Sequence, residues 1–481
     1  MTGLPQRIKP LKLTNAYTRL PANCYARVRP AVAPEPTLLA WNASLAAFLG
    51  METLADDPAA LAAWFSGNAR LPGSQPIATA YAGHQFGHFV ELGDGRAHLL
   101  GEVISPVDGR CYDVQLKGSG RTPFSRNGDG KAALGPVIRE YLVSEAMHRL
   151  HVPTTRSLAV VGTGESVYRE SPEPGGVLTR VAASHIRVGT FELFAARGDR
   201  DALRALLDFA IARHYPDCAQ ASDPAQAFFA AVVGAQARLV AHWLSVGFIH
   251  GVMNTDNCAV SGETIDYGPC AFMDEFDVDR VFSAIDHQGR YRYGHQAPIA
   301  QWNLGRLARC LLLLDEASTA YEALLADFAP QFEAHFHALM RHKLGLSEAA
   351  PDDAALVTAW LQQLQDGALD FTLSFRQLAA RIGRCDAPVF GEFEVRWRER
   401  LLRQPGGAAR AAQLMASGNP VYIPRNHQIQ RAIDAALQGD WSVFHRLREV
   451  FDAPFEARPE WAGIERPPRP DERVTRTFCG T

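Results

Sequence analysis

Alternation of apolar and polar residues in the first half of the chain predicts a group of β-strands. Residues 112–117 alternate with a period of two, which is typical of a half-buried strand, and Lys117 lies on its polar face. A glycine turn at Gly93-Asp-Gly95 precedes a second strand-like run. The other strand-like runs lie at 96–103, 157–161 and 177–183, and a short strand predicted at 263–265 leads into Asp266.

Apolar residues spaced three and four apart predict the helices. One helix lies between the strands, over residues 134–147, and it carries Glu140. Later in the chain, Asp223 and Pro224 supply an N-cap and a first-turn proline for a helix that ends near Gly247. Further helical patterns lie at 38–49, 203–211, 301–314, 319–339, 353–366 and 428–437.

The order of these elements predicts an α+β fold with two lobes. A glycine turn, a strand, a strand that carries a lysine, a helix that carries a glutamate and further strands follow one another as in the amino-terminal lobe of a protein kinase. We therefore predict a bilobal protein-kinase-like fold with a β-rich N-lobe and a helical C-lobe. Its expected parts are an N-terminal extension (1–75), the N-lobe (76–185), the C-lobe (186–345) and a helical C-terminal extension (346–481).

Length, composition and charge limit the size of the core, the partners and the cellular location that we expect. A chain of 481 residues with 47% hydrophobic residues is long enough for a two-lobed core. Its formal net charge of −4 gives no global attraction toward nucleic acid or anionic membrane. No uninterrupted apolar run approaches the roughly 18 residues of a spanning helix, and the segment before Thr14 lacks the apolar centre of a secretory signal. We expect a cytoplasmic monomer that binds neither nucleic acid nor membrane.

The eight cysteines give no metal or redox motif. None forms a C-x-x-C pair, and no set of cysteines and histidines has the spacing of a zinc site. A reducing, intracellular setting with buried thiols is the simplest explanation. Cys479 differs from the others because it lies in the polar tail at the end of the chain.

The segment His250 to Asn257 has the spacing of a kinase catalytic loop but lacks its base. In the pattern H-R-D-x-x-x-x-N the base is the second residue after the histidine and a metal-binding asparagine is the seventh. Asn257 occupies the seventh position, whereas the second is Val252, which cannot accept a proton. Asp266, followed by Tyr267 and a glycine, matches the metal-binding aspartate that comes after the loop.

Chemistry on a nucleoside triphosphate needs a divalent metal, a cation on the phosphates and a group that orients the nucleophile. Asn257 and Asp266 are candidate ligands of Mg²⁺, and Lys117 paired with Glu140 is the candidate phosphate-binding cation. Asp256 is the nearest replacement for the missing base. The alternatives are a polar turn, a pair of solvated surface charges and, for Asp256, a structural residue or a further metal ligand.

Glycines and arginines supply other candidate phosphate contacts. The segment 118–130 is rich in glycine, which allows backbone N–H groups to approach phosphates. Arg180 and Arg187 carry guanidinium groups that suit phosphate oxygens, although for either arginine alone a surface charge is the favoured interpretation. His84 and His88 have the spacing of a helical metal pair, but Gly87 weakens a helix and a zinc-protease glutamate is absent, so a structural role is favoured.

These residues together resemble the selenoprotein O family of atypical kinases. The resemblance extends from about Leu20 to the C-terminus and covers nearly the whole chain. The matching stretches are Tyr81-Ala-Gly-His-Gln-Phe-Gly87, residues 115–126, residues 128–134, Arg139-Glu140, residues 250–257, Asp266-Tyr-Gly-Pro269, Asn419-Pro420 and Arg425-Asn426.

The resemblance implies a kinase-like fold that binds ATP in an inverted orientation. In that family AMP passes to Ser, Thr or Tyr hydroxyls of proteins and pyrophosphate leaves, with Mg²⁺ or Mn²⁺ as the metal. By position, Asn257 and Asp266 match the metal ligands, Asp256 the proton acceptor, and Glu140 the partner of the nucleotide-binding lysine. The residues that match nucleotide contacts are Gly93, Gly95, Arg96, Lys117, Asp129, Gly130, Arg180, Arg187 and Asp266.

Cys479 is the one departure from the family pattern, because some members carry selenocysteine there. Family members can couple activity to thiol oxidation, and Cys270 is the one candidate considered as a thiol partner of Cys479.

The sequence therefore predicts a protein adenylyltransferase. Two alternatives stay open at this stage. One is a conventional phosphotransferase acting on protein or small-molecule hydroxyls, and the other is a catalytically inactive nucleotide-binding scaffold.

Overall fold

Strands dominate the amino-terminal part of the protein and helices dominate the rest. The computed structural model describes residues 13–315 and 317–478. The strands are β1 (Tyr25–Arg27), β2 (Thr37–Trp41), β3 (Ile77–Thr79), β4 (Ala82–Gln85), β5 (His88–Glu91), β6 (Ala97–Ile104), β7 (Cys111–Lys117), β8 (Ala132–Ala133), β9 (Arg156–Tyr168), β10 (Pro172–Ala182), β11 (Phe248–Ile249) and β12 (Ala271–Phe272). The predicted mixture of a β-rich part and a helical part is confirmed.

Each predicted helical segment is helical at least in part, but two of them differ in extent and several further helices were not predicted. The helices are α1 (Ala43–Phe48), α2 (Pro58–Ser66), α3 (Leu134–Arg149), α4 (Val188–Ala196), α5 (Arg200–His214), α6 (Pro224–Ser245), α7 (Gln296–Leu311), α8 (Ser318–Ala326), α9 (Phe328–Lys343), α10 (Asp353–Asp366), α11 (Phe371–Ala379), α12 (Gly391–Leu402), α13 (Gly407–Gly418), α14 (Asn426–Leu437) and α15 (Ser442–Asp452). The single helix predicted at 319–339 is two helices, α8 and α9. The helix predicted at 38–49 is wrong in its first half, which is strand β2.

One antiparallel sheet contains most of the strands, in the order β1-β3-β6-β7-β10-β9-β2, with β8 beside β10. Strand β2 pairs with β9, and Trp41 lies opposite Ala159, so pairing with a distant strand overrides the helical spacing of this segment. Asn42 then accepts a hydrogen bond from the Leu45 amide at 3.1 Å and begins α1. Both edges of the sheet therefore come from the segment predicted as an N-terminal extension, and the four-part division of the chain stays a prediction.

Helix α3 fixes Glu140 against the sheet and against the end of the chain. It packs on β9 and β10 with one face and on α14 and α15 with another. The rings of Tyr141 and Phe444 lie 5.4 Å apart, and Gly135 leaves room for the Ile433 side chain. The C-terminal helices thus hold the helix that carries Glu140.

Helix α6 delivers the chain to the catalytic-loop segment. Asp223 accepts a hydrogen bond from the Gln226 amide at 3.0 Å, as the predicted N-cap requires. By length and composition α6 is the one helix within 13–315 and 317–478 that could cross a membrane, but 67% of its apolar window is buried inside the protein, as expected of a core helix. It packs against α7 and α9.

The short strand predicted at 263–265 does not form. Thr264 makes an isolated bridge to Thr154, and the segment otherwise runs as an irregular connection into Asp266.

Candidate active site

A cavity of about 790 Å³ lies between the sheet and the catalytic-loop segment. The predicted site residues that line it are Gly93, Gly95, Arg96, Lys117, Asp129, Gly130, Arg180, Arg187, Asp256, Asn257 and Asp266. Glu140 is buried behind Lys117 rather than in the lining. The fold therefore brings together residues that the sequence separates by more than a hundred positions.

Two cations share two carboxylates at the inner end of this cavity. Lys117 Nζ donates to Glu140 Oε2 at 2.6 Å and also contacts Asp266 Oδ1. Arg180 Nε donates to Glu140 Oε1 at 2.7 Å, and its Nη2 lies 3.3 Å from Asp266 Oδ1. The predicted pair of Lys117 and Glu140 is thus one half of a four-residue network.

The charges in this network hold both carboxylates ionised. Burial by itself raises the pKa of Glu140, but Arg180 and Lys117 outweigh it and bring the pKa below its usual value. The pKa of Asp266 is also raised by burial and lowered further than that by Lys117 and Arg180. An ionised Asp266 is a suitable ligand for a hard cation.

The catalytic-loop segment is held by hydrogen bonds from several elements. His250 Nε2 lies 2.9 Å from the Ile265 carbonyl, which joins the start of the loop to the residue before Asp266. Asn254 accepts hydrogen bonds from the Phe86 amide at 3.1 Å and from the Tyr291 hydroxyl at 2.7 Å. Asp266 has a φ of 69°, a conformation that is costly for a residue with a Cβ and is often found at functional sites.

Asp256 is a buried carboxylate with little hydrogen bonding. Its Oδ2 accepts a long hydrogen bond of 3.4 Å from Gln85, and its Oδ1 is buried with no hydrogen-bond partner among the described residues. Burial raises its pKa to about 6. A carboxylate with a raised pKa is suited to accept a proton near neutral pH.

Two glycines make the space that Asp256 occupies. A Cβ on Gly83 would lie 2.1 Å from Asp256 Oδ1. A Cβ on Gly189 would lie 1.9 Å from the Ala82 carbonyl oxygen and 3.3 Å from Asp256 Cα. Neither glycine is recognisable from the local sequence, because the close approach exists only once β4 and α4 are in place.

The donor set at Asn257 and Asp266 fits a hard divalent cation. Asn257 donates from its amide nitrogen to the Val252 carbonyl at 3.1 Å, which fixes the orientation of the amide. Within residues 13–315 and 317–478 no group of three His, Cys, Asp or Glu residues could hold a metal alone. One carboxylate, one amide oxygen and the oxygens of a bound phosphate form the kind of partial cage that Mg²⁺ uses.

The glycine turns allow the backbone to line the cavity closely. Gly93 has a φ of 134°, and a Cβ there would lie 2.4 Å from the Phe124 ring. A Cβ on Gly130, whose φ is 71°, would lie 2.3 Å from the backbone of Gly120. Both positions therefore require glycine.

Asp129 faces an arginine that sequence analysis missed. Arg169 binds its carboxylate with both terminal nitrogens, at 2.9 and 3.1 Å, and also donates to the Lys131 carbonyl at 2.9 Å. The hydrogen bonds from Arg169 lower the pKa of Asp129. The β9–β10 connection thus holds the loop that carries Asp129 and Gly130.

The paired histidines have the favoured structural role. His84 and His88 lie on the β4–β5 hairpin rather than on a helix, and His84 Nδ1 lies 2.5 Å from Glu192 Oε1. Glu192 also accepts a hydrogen bond from Thr255, the neighbour of Asp256.

Of the suggested thiol pair, Cys270 and Cys479, only Cys270 lies within the described residues. Cys270 is buried, and burial raises the pKa of its thiol to about 12. Cys479 lies outside the described residues, so the suggested pairing stays a prediction.

Comparison with known proteins identifies the family. Residues 7–452 match the family described as protein adenylyltransferase SelO. The chain belongs to this family. Membership makes it an enzyme of the nucleotidyltransferase class.

Relatives in the SelO family match the chain over nearly its full length. A protein nucleotidyltransferase YdiU of Rhodopseudomonas palustris (strain BisB5) is 53% identical and covers 97% of this chain and 98% of its own. Proteins of the same description from Rhizobium johnstonii and Rhizobium meliloti (strain 1021) are each 51% identical, with 100% and 98% of this chain covered and 100% and 99% of their own.

Proposed function

We propose that this SelO-family enzyme transfers AMP from ATP to Ser, Thr or Tyr hydroxyls of other proteins and releases pyrophosphate. The observation that carries the proposal is the placement of Asp256, a buried carboxylate with a raised pKa, in one cavity with Lys117, Arg180 and Asp266. Val252 occupies the position of the kinase base and cannot accept a proton.

ATP binds with its triphosphate in the inner half of the cavity, inverted relative to a conventional kinase. Lys117 and Arg180 neutralise the phosphates that become the leaving group. The glycine turns at Gly93 and Gly130 let the backbone approach the nucleotide. This arrangement presents the α-phosphorus, rather than the γ-phosphorus, to the incoming hydroxyl. We also propose that these parts form a two-lobed, kinase-like core.

The hydroxyl of the protein substrate loses its proton to Asp256 as its oxygen attacks the α-phosphorus. The new oxygen–phosphorus bond forms in line with the bond that breaks, and pyrophosphate takes the electron pair of that bond. The Asp256 carboxylate has the chemistry for this step, because its raised pKa makes it a better proton acceptor than an exposed carboxylate.

Asn257 and Asp266 are the residues that would hold Mg²⁺ or Mn²⁺. A dication bound there supplies charge to neutralise the developing negative charge on the phosphates. Lys117 and Arg180 hold the Asp266 carboxylate in place and ionised for this role.

Labelled ATP tests the reaction directly. The purified protein is incubated with a cell lysate and Mg²⁺ or Mn²⁺, with ATP labelled at the α- or at the γ-phosphate. We expect only the α-label on protein, together with a mass gain of AMP on hydroxyl residues. Retention of the γ-label would indicate a conventional phosphotransferase. Binding of ATP with neither label transferred would indicate an inactive scaffold.

Asp256→Asn is the matched control for the same assay. The two side chains have the same size, so the cavity and ATP binding are retained, whereas the proton acceptor is lost. We expect transfer to fall at least about 100-fold, the range typical of general-base removal. Unchanged transfer by Asp256→Asn would remove Asp256 from the mechanism.

A further inference from the structure

Arg187 lies in the cavity wall, and its guanidinium group is buried. The residue is 5% exposed, and its Nε and Nη1 have no hydrogen-bond partner among the described residues. A buried charged donor without a partner is costly unless other charges or dipoles compensate it. Its surroundings supply two such contacts, a ring face and a carboxylate.

Tyr81 supplies the ring. The Arg187 Cζ atom lies 4.3 Å from the centre of the Tyr81 ring, well within the range of a cation–π contact. Tyr81 immediately precedes β4, the strand that also places Gly83 against Asp256. The attraction of a cation to a ring face needs no hydrogen bond, so it can hold the guanidinium while leaving its donors unused.

Asp94 supplies the carboxylate. Its Oδ1 lies 3.6 Å from Arg187 Nη1, which is an ion pair but is too long for a hydrogen bond. Asp94 itself is 2% exposed and does not move freely, because its Oδ2 accepts from the Thr79 amide at 3.0 Å, the Thr79 hydroxyl at 2.7 Å and Gln115 at 3.4 Å. The carboxylate is thus fixed on one oxygen and presents the other to Arg187.

The contacts matter because Arg187 lies among other charges. Arg180 repels its guanidinium, whereas Asp256 and Asp266 attract it. The direct contacts with the Tyr81 ring and the Asp94 carboxylate fix the position of Arg187 among these charges.

We propose that Tyr81 and Asp94 are positioning residues that hold Arg187 for the phosphates of bound ATP. The role rests on the proposed function for the identity of the nucleotide. It extends that function to two further residues of the cavity wall, which act on the nucleotide through Arg187. Neither residue is a catalytic residue, because both act through Arg187.

Binding of a non-hydrolysable ATP analogue tests this role without a protein substrate. The analogue carries a methylene group between the α- and β-phosphorus atoms, and its dissociation constant is measured by calorimetry with the full chain and Mg²⁺. Tyr81→Leu removes the ring and is expected to weaken binding about 3- to 30-fold. Tyr81→Phe keeps the ring face and is expected to stay within about twofold of the wild type. An equal loss in both variants would overturn the role of the ring.

A double-mutant cycle separates positioning from general damage to the fold. In an Arg187→Ala background, Tyr81→Leu should change binding by less than about twofold, because the group that it positions is gone. The same loss in both backgrounds would overturn the proposal. Asp94→Asn keeps the acceptor for Thr79 but removes the charge, and it should follow the same non-additive pattern. It serves as the test if Tyr81→Leu does not fold.

The outcomes distinguish this proposal from the proposed reaction. Additive binding losses together with intact transfer of the α-label would reject the positioning role alone. Non-additive losses without transfer of the α-label would keep the role but reject AMP transfer. Absence of analogue binding to the wild-type protein would reject both.

Discussion

At the scale of single residues, the site depends on side chains whose charge is controlled by their surroundings. Asp266 is ionised because two cations lie against it, whereas Asp256 is buried with few donors and its pKa rises to about 6. Two carboxylates ten positions apart thus have opposite pKa shifts. The first suits a metal ligand and the second a proton acceptor.

Gly83→Ala tests whether AMP transfer depends on the close packing of Asp256 against Gly83. The new Cβ would lie 2.1 Å from Asp256 Oδ1 and 2.9 Å from its Cβ, so the carboxylate has to leave its position. We expect kcat for AMP transfer to fall by at least about tenfold, since small misplacements of a catalytic group are costly. Gly305→Ala is the matched control, because its Cβ would meet only Leu325 at an ordinary 3.5 Å and activity should be unchanged. Equal kcat values for Gly83→Ala and the wild type would show that the fit is unimportant.

Lys343 gives a prediction about stability and pH. Its side chain is 4% exposed, its ammonium lies 4.3 Å from the Phe375 ring centre and 3.4 Å from the Gly418 carbonyl oxygen, and burial lowers its pKa to about 7. In the unfolded chain a lysine titrates near 10.4. Below about pH 7 the folded protein therefore bears the full cost of a buried charge. Between about pH 7 and 10 that cost is progressively relieved, because the folded state releases its proton first.

Lys343→Met should accordingly stabilise the protein most at low pH. Chemical unfolding at pH 6 is expected to show a gain on the order of 3 kcal/mol relative to the wild type, and the gain should shrink at pH 9. A gain that is the same at both pH values would mean that the lysine is not buried as a charge.

At the scale of elements, residues 250–257 are positioned by helix α6, which precedes them, and by the β4–β5 hairpin and helix α4, which contact them. Helix α6 enters the loop at its C-terminal end, and β4 contributes both Gly83 and the His84 amide, which donates to Thr255 at 2.6 Å. Helix α4 carries Glu192, which contacts His84 and Thr255. Residues of β4 and α4 thus hold residues 250–257 in place, although these segments are far apart in the sequence.

Asp223→Ala tests the contribution of the α6 cap. Loss of the hydrogen bond to the Gln226 amide should lower the free energy of unfolding by about 1 kcal/mol. The cap lies at the far end of a 22-residue helix from the loop, so kcat should change by less than about twofold. Thermal unfolding and labelled-ATP transfer measure the two effects. Asp223→Asn, which can still cap, should behave as the wild type, and a large fall in kcat in either variant would contradict this view.

At the scale of the whole molecule, the C-terminal helices are bound to the site region by a buried arginine. Arg425 donates to Asp370 at 2.8 and 3.2 Å and to the Glu465 carbonyl at 2.9 Å, and it also binds Asp274 shortly after β12. Its neighbour Asn426 donates to the Phe272 carbonyl at 3.0 Å. The motif Arg425-Asn426 therefore connects three distant segments rather than contacting the cavity.

Arg425→Leu should destabilise the whole protein. Removal of one partner leaves two carboxylates without their cation, for which about 3–5 kcal/mol is typical. Arg473→Ala removes an exposed pair with Glu275 and should cost less than about 1 kcal/mol. Chemical unfolding compares the two variants. Similar small losses in both would show that Arg425 is not a structural centre.

Local patterns determined much of the fold and the candidate site. The alternation at 112–117, the helical spacing at 134–147 and 353–366, and the cap at Asp223 act over a few residues, so the chain shows them directly. The spacing from His250 to Asn257 and Asp266 is local too, and Asn257 and Asp266 lie in one cavity with the distant Lys117. The first half of the helix predicted at 38–49 is wrong because pairing with β9 decides the conformation of 37–41.

Only the tertiary structure decided which residues distant in sequence lie against one another. The contacts of Arg169 with Asp129, of Tyr81 and Asp94 with Arg187, and of Gly83 with Asp256 join segments far apart in the chain. No local pattern encodes such contacts, because each depends on the register of strands and on the packing of helices formed elsewhere. Burial is likewise a property of the assembled fold, and it sets the opposite pKa shifts of Asp256 and Asp266.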